Sequence, residues 1–189
     1  MRRPIAAIAF TVFLLTNLAC GRERISPPDV VRPATPTGSA PQAFPRAGMS
    51  FDGPGNWPFL PGRPPLVASA SSGTATVALW RYLRSEPLPR EDAELEAAQT
   101  ALEDAARTRD KTFVVEEGRR LEIDGAPAVQ LLGTETVAGQ KRRVRSTHVY
   151  AKGAEFVVDA YAPENEFARV DREVFTPIVE SLIIDPPTG

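Results

Sequence analysis

The 189-residue chain contains one cysteine, Cys20, and one histidine, His148. A single cysteine excludes an internal disulfide framework and any cysteine-based zinc site. A single histidine excludes two-histidine metal motifs such as His-Glu-x-x-His. Charge of one sign is also lacking. The 22 Lys and Arg stand against 24 Asp and Glu, a formal net charge of -2, which gives no electrostatic case for nucleic acid as a partner. There is no Gly-rich phosphate loop, no dinucleotide fingerprint and no Gly-x-Ser-x-Gly nucleophile elbow, so no cofactor is implied. The uncharged run from Ile5 to Ala19 has 15 residues. As a helix it spans about 22 Å against a hydrocarbon core of about 30 Å, too short for a comfortable transmembrane span.

That run fits the apolar region of a signal peptide, with Arg2 and Arg3 as its basic start. Its end, Asn17-Leu18-Ala19-Cys20-Gly21, resembles a bacterial lipobox, with Asn17 where that family usually has an apolar residue. The resemblance implies cleavage after Ala19, a diacylglycerol on the Cys20 sulfur and acylation of the new N-terminus. Two or three acyl chains together hold a protein at a membrane nearly irreversibly. Residues 1–19 therefore read as a lipoprotein signal peptide, and Cys20 as an attachment point with the membrane as its partner. An ordinary secretory signal with an incidental cysteine is the alternative.

Residues 20–47 follow, with Pro27, Pro28, Pro33, Pro36, Pro41 and Pro45. So Pro-rich a segment is expected to remain a disordered tether, because it buries too little apolar area to offset its ordering entropy. It would act as a spacer, or be a processed tail with no length requirement. From Gly48 the composition changes, and residues 48–185 read as one domain with 186–189 as a tail.

Met49-Ser50-Phe51 opens a first strand. Leu66 to Ala70 and Ala75 to Tyr82 flank Ser72-Gly73 as a hairpin. Arg90 to Arg109 is a helix candidate, with Leu95, Ala98, Leu102 and Ala105 as its apolar stripe. Strands are predicted at Thr112–Val115, Arg119–Ile123 and Ala128–Glu135. Arg143–Tyr150 and Glu155–Tyr161 form a hairpin about Lys152-Gly153. Asn165 to Leu182 is a helix carrying Phe167, Val170, Val174, Ile178 and Leu182 on one face. Asn165 is its expected cap, and Pro177 forces a kink or a restart capped by Thr176. The order predicts an α+β fold, an antiparallel β-sheet with helices packed on it.

The pattern resembles the PsbP-like superfamily, which includes bacterial lipoproteins of the DcrB and LpqN type. The matching residues are Met49-Ser50-Phe51 with Gly55-Asn56-Trp57, Gly125-Ala126-Pro127-Ala128, Glu155 to Tyr161, and Phe167 with Phe175-Thr176-Pro177-Ile178 and Ser181-Leu182. The resemblance implies an α/β/α sandwich, usually without enzymatic activity, acting as an accessory, assembly or binding subunit.

Candidate chemistry is sparse. If Lys152-Gly153 is a two-residue turn, Ser146 falls opposite Asp159 with His148 on the same face. That is a Ser-His-Asp trio, or a polar patch on a sheet. Lys141, Arg142, Arg143 and Arg145 could touch acidic headgroups or an acidic partner, or be balanced across strands by Glu135, Glu155 and Asp159. Trp57, Phe59 and Trp80 could rim a ligand pocket or fill the core. Glu94, Glu96, Glu103 and Asp104 lack the loop pattern of a cation site. The leading expectation is a non-enzymatic, membrane-anchored envelope lipoprotein that binds a protein partner. A carrier of a small hydrophobic or lipid ligand comes second, and a hydrolase third. A host with two membranes would hold it on the periplasmic face of the outer membrane; a host with one, on the outside of the cell membrane.

Overall fold

Alternating apolar and polar residues run through the centre of the chain, and the structure, a computed structural model describing residues 30–188, turns them into two antiparallel sheets. The larger sheet has seven strands: β3 (Leu60–Pro61), β4 (Leu66–Ser72), β5 (Ala75–Leu83), β6 (Val114–Ile123), β7 (Ala126–Val137), β8 (Gln140–Ala151) and β9 (Ala154–Pro163). Their spatial order is β3-β4-β5-β9-β8-β7-β6. The smaller sheet has β1 (Ser39–Phe44) and β10 (Ile183–Ile184) on either side of β2 (Met49–Pro54).

Turn chemistry sets the register of the long strands. Asp124-Gly125, Ala138-Gly139 and Lys152-Gly153 each place two successive residues at positive φ, the geometry of the tight turn whose twist matches the flanking strands. The last of these pairs Ala151 with Ala154, and so Ser146 with Asp159, as the sequence predicts.

Period-two alternation then sends neighbouring residues to opposite faces. On one face Val77, Leu79, Phe156, Val158 and Val149 pack against Phe167, Val170, Val174, Phe175 and Ile178 of the C-terminal helical segment, together with Met49, Phe51 and Trp57. Each such large side chain contributes about 1.5–3 kcal/mol through burial. On the other face Val129, Leu131 and Tyr150 meet Leu95, Ala98 and Leu102 of α1 (Asp92–Arg109). α1 begins with a capping box between Glu91 and Glu94.

Several elements differ from expectation. The apolar stripe of α1 ends on buried Ala106, one residue past Ala105, which is exposed; the i, i+4 step from Leu102 points 106 at the sheet. β6 is one strand with a register shift between Val115 and Glu117, where the sequence suggests two. Gly118 lies beneath α1, and a Cβ there would come within 2.2 Å of the Gln99 side chain. The C-terminal helix is capped by Pro163, not Asn165. It runs through α2 (Glu164–Val170), a π-helical turn at Asp171–Phe175 and α3 (Thr176–Glu180). The wide turn precedes Pro177, whose missing N–H cannot continue an α-helical ladder. The expected apolar face, Phe167, Val170, Val174, Ile178 and Leu182, is buried throughout.

The largest difference lies in the expected tether. Ser39–Phe44 is strand β1, paired residue by residue with β2. Its half-buried Ala40, Gln42 and Phe44 alternate with exposed neighbours, and Pro41 is tolerated because β1 is an edge strand. Upstream, Val31 O accepts from Thr74 N at 2.9 Å and from Thr74 Oγ1 at 3.1 Å. Arg169 Nη2 donates to Pro33 O at 2.8 Å, and Ala34 N donates to Ser72 Oγ at 2.9 Å. Asn56 accepts from Thr37 N and donates to Thr35 O, both at 2.9 Å. From Val31 onward the chain is bound to the domain. Proline density resembles disorder in composition, yet here the backbone groups find specific partners.

Candidate functional site: a polar cleft beneath α1

α1 packs chiefly on β7 and β6. This leaves a cleft of ≈ 230 Å³ between the C-terminal half of α1 and strands β5, β9 and β8. Alternation fills its floor. Ser146 and His148 on β8 and Glu155, Val157 and Asp159 on β9 all point to the α1 side. Leu102, Phe113, Leu131 and Val144 form an apolar wall, and Tyr82, Arg84 and Arg109 form the rim.

The floor is one connected network. Ser146 Oγ donates to Asp159 Oδ1 at 2.5 Å and lies 2.9 Å from His148 Nε2. His148 Nδ1 lies 2.7 Å from Glu155 Oε1, and the other Glu155 oxygen accepts from Arg84 Nη2. A carboxylate only accepts, so Nδ1–H is the donor to Glu155. Glu155 is 3% exposed. Burial pushes its carboxyl up, but the hydrogen bonds and charges of His148 and Arg84 outweigh burial and hold it below its ordinary value. Tyr82 is pushed up by burial and by the charges of Asp159 and Glu155, with Arg109 and Arg84 opposing. Burial, then Glu155, pushes Tyr150 up strongly.

Ser146, His148 and Asp159 are thus together, but not in the order of a nucleophilic relay. Glu155, not Asp159, orients the imidazole, and Asp159 accepts the hydrogen bond of the serine hydroxyl. β8 is paired along its length with both β7 and β9. Its backbone N–H groups are therefore used in the ladder, and none is left to stabilise an oxyanion at Ser146.

The other candidates lie elsewhere. Trp57 is 1% exposed and Phe59 is buried with it, both in the core against β2. Trp80 is half-buried and stacks on Tyr82 with ring centroids 6.3 Å apart. Arg143 and Arg145 point to the opposite face from Ser146, because they alternate with it along β8. Arg145 Nη2 bonds Asp171 Oδ2 at 2.6 Å and its Nη1 bonds Thr176 Oγ1 at 3.2 Å. Arg143 pairs with Glu116 and lies 5.1 Å over the Phe167 ring. Their partners are not the Glu135, Glu155 and Asp159 expected from strand neighbours, because those three carboxylates pair with neither arginine. Cys20 and residues 1–19 lie outside the described residues. Among the described residues no group of three or more His, Cys, Asp and Glu could hold a metal, and no helix is long and apolar enough to cross a membrane.

Glu155, Tyr82, Arg84 and Arg109 escape the sequence reading of this site. Glu155 was recoverable from alternation, since 155, 157 and 159 share a face. Arg109 requires the docking angle of α1, which no local signal gives.

Seven antiparallel strands between a long helix on one face and a broken helix with a small sheet on the other define an α+β fold of the PsbP-like type. Among the solved structures that share it are these three. Cyanobacterial PsbP (CyanoP) from Synechocystis sp. PCC 6803 superposes with a TM-score of 0.62 at 12% identity, over 80% of this chain and 94% of its own. LpqN, involved in cell envelope biogenesis of Mycobacterium tuberculosis, gives 0.56 at 20% identity, over 79% and 91%. The Ran-binding protein Mog1p of Saccharomyces cerevisiae gives 0.54 at 8% identity, over 78% and 95%. No family model and no curated protein matches the sequence.

Proposed function

We propose that this chain is a lipid-anchored cell-envelope protein whose PsbP-like domain works by binding, as an accessory or assembly module for an envelope protein partner. The observation that carries the non-catalytic reading is the 2.5 Å bond from Ser146 Oγ to Asp159. It directs the hydroxyl hydrogen at a carboxylate and not at the neighbouring imidazole, on a doubly paired strand with no free backbone N–H to stabilise an oxyanion. The lipobox at Cys20 supports the anchor, and the fold shared with LpqN, a protein of envelope biogenesis, supports the compartment. The cleft is smaller than the roughly 300–1,000 Å³ of drug-sized sites and its floor is charged, which disfavours a lipid cargo.

Labelling cells with a palmitate analogue tests the anchor: the chain carries the label and Cys20→Ala does not. Crosslinking from intact envelopes should capture a protein partner. In an ester-hydrolysis assay the protein should match buffer, with Ser146→Ala identical to the parent. Turnover that depends on Ser146 would overturn the binding reading.

A further inference from the structure

The cleft beneath α1 holds two opposite charges that do not pair. Asp159 has one hydrogen-bond partner among the described residues, Ser146, and that bond uses only Oδ1. Arg109, at the last residue of α1, makes no ion pair or side-chain hydrogen bond with a described residue. Both line the same cleft. Burial raises the Tyr82 pKa most, Asp159 adds to it and Arg109 opposes it, so both charges lie near that hydroxyl. The remaining charges are already satisfied: Arg84 with Glu155 and Glu86, and His148 with Glu155 and Ser146.

A half-enclosed cleft strengthens ion pairing, because fewer waters screen it. What lies between an open carboxylate oxygen and an open guanidinium, against Leu102, Phe113, Leu131 and Val144, should be cationic at one end, anionic at the other and apolar along its side. We infer that the cleft binds a small zwitterion of the α-amino-acid class, its ammonium on Asp159 and Ser146, its carboxylate on Arg109, and an apolar side chain on the wall. A cavity of ≈ 230 Å³ admits a single residue of leucine size. This inference rests on the domain being a binding module.

The only histidine in the chain, His148, lies in the cleft floor, so its imidazole NMR signals report occupancy. The full protein is titrated with L-leucine, N-acetyl-L-leucine and L-leucinamide, read by calorimetry and by those signals. L-Leucine should bind saturably and shift the imidazole resonances. Removing either ligand charge should weaken binding about tenfold or more, as expected for one charge-assisted hydrogen-bonded contact. Asp159→Asn should reduce affinity for L-leucine and leave N-acetyl-L-leucine unchanged; Arg109→Gln should reduce affinity for L-leucine and leave L-leucinamide unchanged. The analogue series on the unaltered protein decides the matter if a variant fails to fold. Absence of saturable L-leucine binding, or equal affinity for all three ligands, overturns the inference. Either result leaves the anchored binding module standing if Cys20 is lipidated and no Ser146-dependent turnover is found.

Discussion

His148 Nδ1 bonds Glu155 Oε1 at 2.7 Å across a diagonal of the β8–β9 ladder, where the directly opposed pairs are His148 with Val157 and Tyr150 with Glu155. Diagonal neighbours are about 7–8 Å apart at the backbone, within reach of long side chains. The bond places an acid and a base in a buried position, and Arg84 closes the charge balance.

The stability contributed by Glu155 depends on pH in a direction fixed by its lowered pKa. The unfolded chain takes up a proton on this carboxyl at a higher pH than the folded one does. The contribution is therefore present above the unfolded-state value and drains away as pH falls through it toward the folded-state value. Urea unfolding midpoints should drop across that acid window, and Glu155→Gln should flatten the drop. At neutral pH Glu155→Gln should cost about 2 kcal/mol, less than the about 3–5 for breaking a fully buried pair, because Arg84 is partly solvated. An unchanged acid profile in the variant would contradict this account.

Gly133 on β7 has no room for a side chain. A Cβ there would lie 2.5 Å from Val114 O and 3.0 Å from the Phe113 ring. The first obstacle is backbone and cannot swing away. Gly133→Ala should destabilise by about 1–3 kcal/mol, the range for overpacking a core, and shift the β6 amide signals. Gly139→Ala, where a Cβ meets nothing within 4 Å, should cost less and act only through its positive φ.

The seven-strand sheet was largely legible because its signals are local. Asp124-Gly125 and Lys152-Gly153 announce turns, and alternation from those turns fixes which side chains share a face. That is why Ser146 and Asp159 were placed opposite each other correctly. What was illegible depends on partners distant in sequence. β1 is a strand only because β2 pairs with it, and its Pro41 argues the other way. Arg145 reads as a free cation until Asp171, 26 residues on, is brought beneath it by the π-helical turn. The cleft likewise exists because α1 packs chiefly on β7 and β6, a matter of packing that no residue pattern announces.

The Arg145–Asp171 pair should behave asymmetrically. Burial pushes the Asp171 carboxyl up, with Arg145 and then Arg143 opposing. Arg145→Ala leaves a part-buried carboxylate without its main counter-charge. Asp171→Asn keeps an acceptor for the guanidinium. Arg145→Ala should therefore cost about 2–4 kcal/mol in chemical denaturation, with the loss largest at neutral pH and smaller in acid, where Asp171 is protonated. Asp171→Asn should cost less at every pH. Equal losses that do not change with pH would refute the electrostatic account.

The bound N-terminal segment limits how far an anchored domain can stand from its membrane. If Cys20 is lipidated, only 11 backbone steps separate it from Val31, whose carbonyl is held by Thr74. Eleven residues reach at most about 40 Å, whereas a tether running to residue 47 could reach more than twice that. Val31 and Asn165 line the same shallow pocket at one end of the sheet. Lys152 lies at the opposite end, about 30 Å away along the ten residues of β9. On vesicles, a donor dye on Asn165→Cys should transfer energy to a lipid acceptor more efficiently than the same dye on Lys152→Cys. Inserting about 20 Gly and Ser residues after Gly21 should reduce transfer at both sites and shrink the difference, because the added coil raises the mean span by roughly 5–6 Å times the square root of its length. Equal transfer from the two sites before insertion would show that the contacts of Val31 to Thr37 do not hold in the anchored protein.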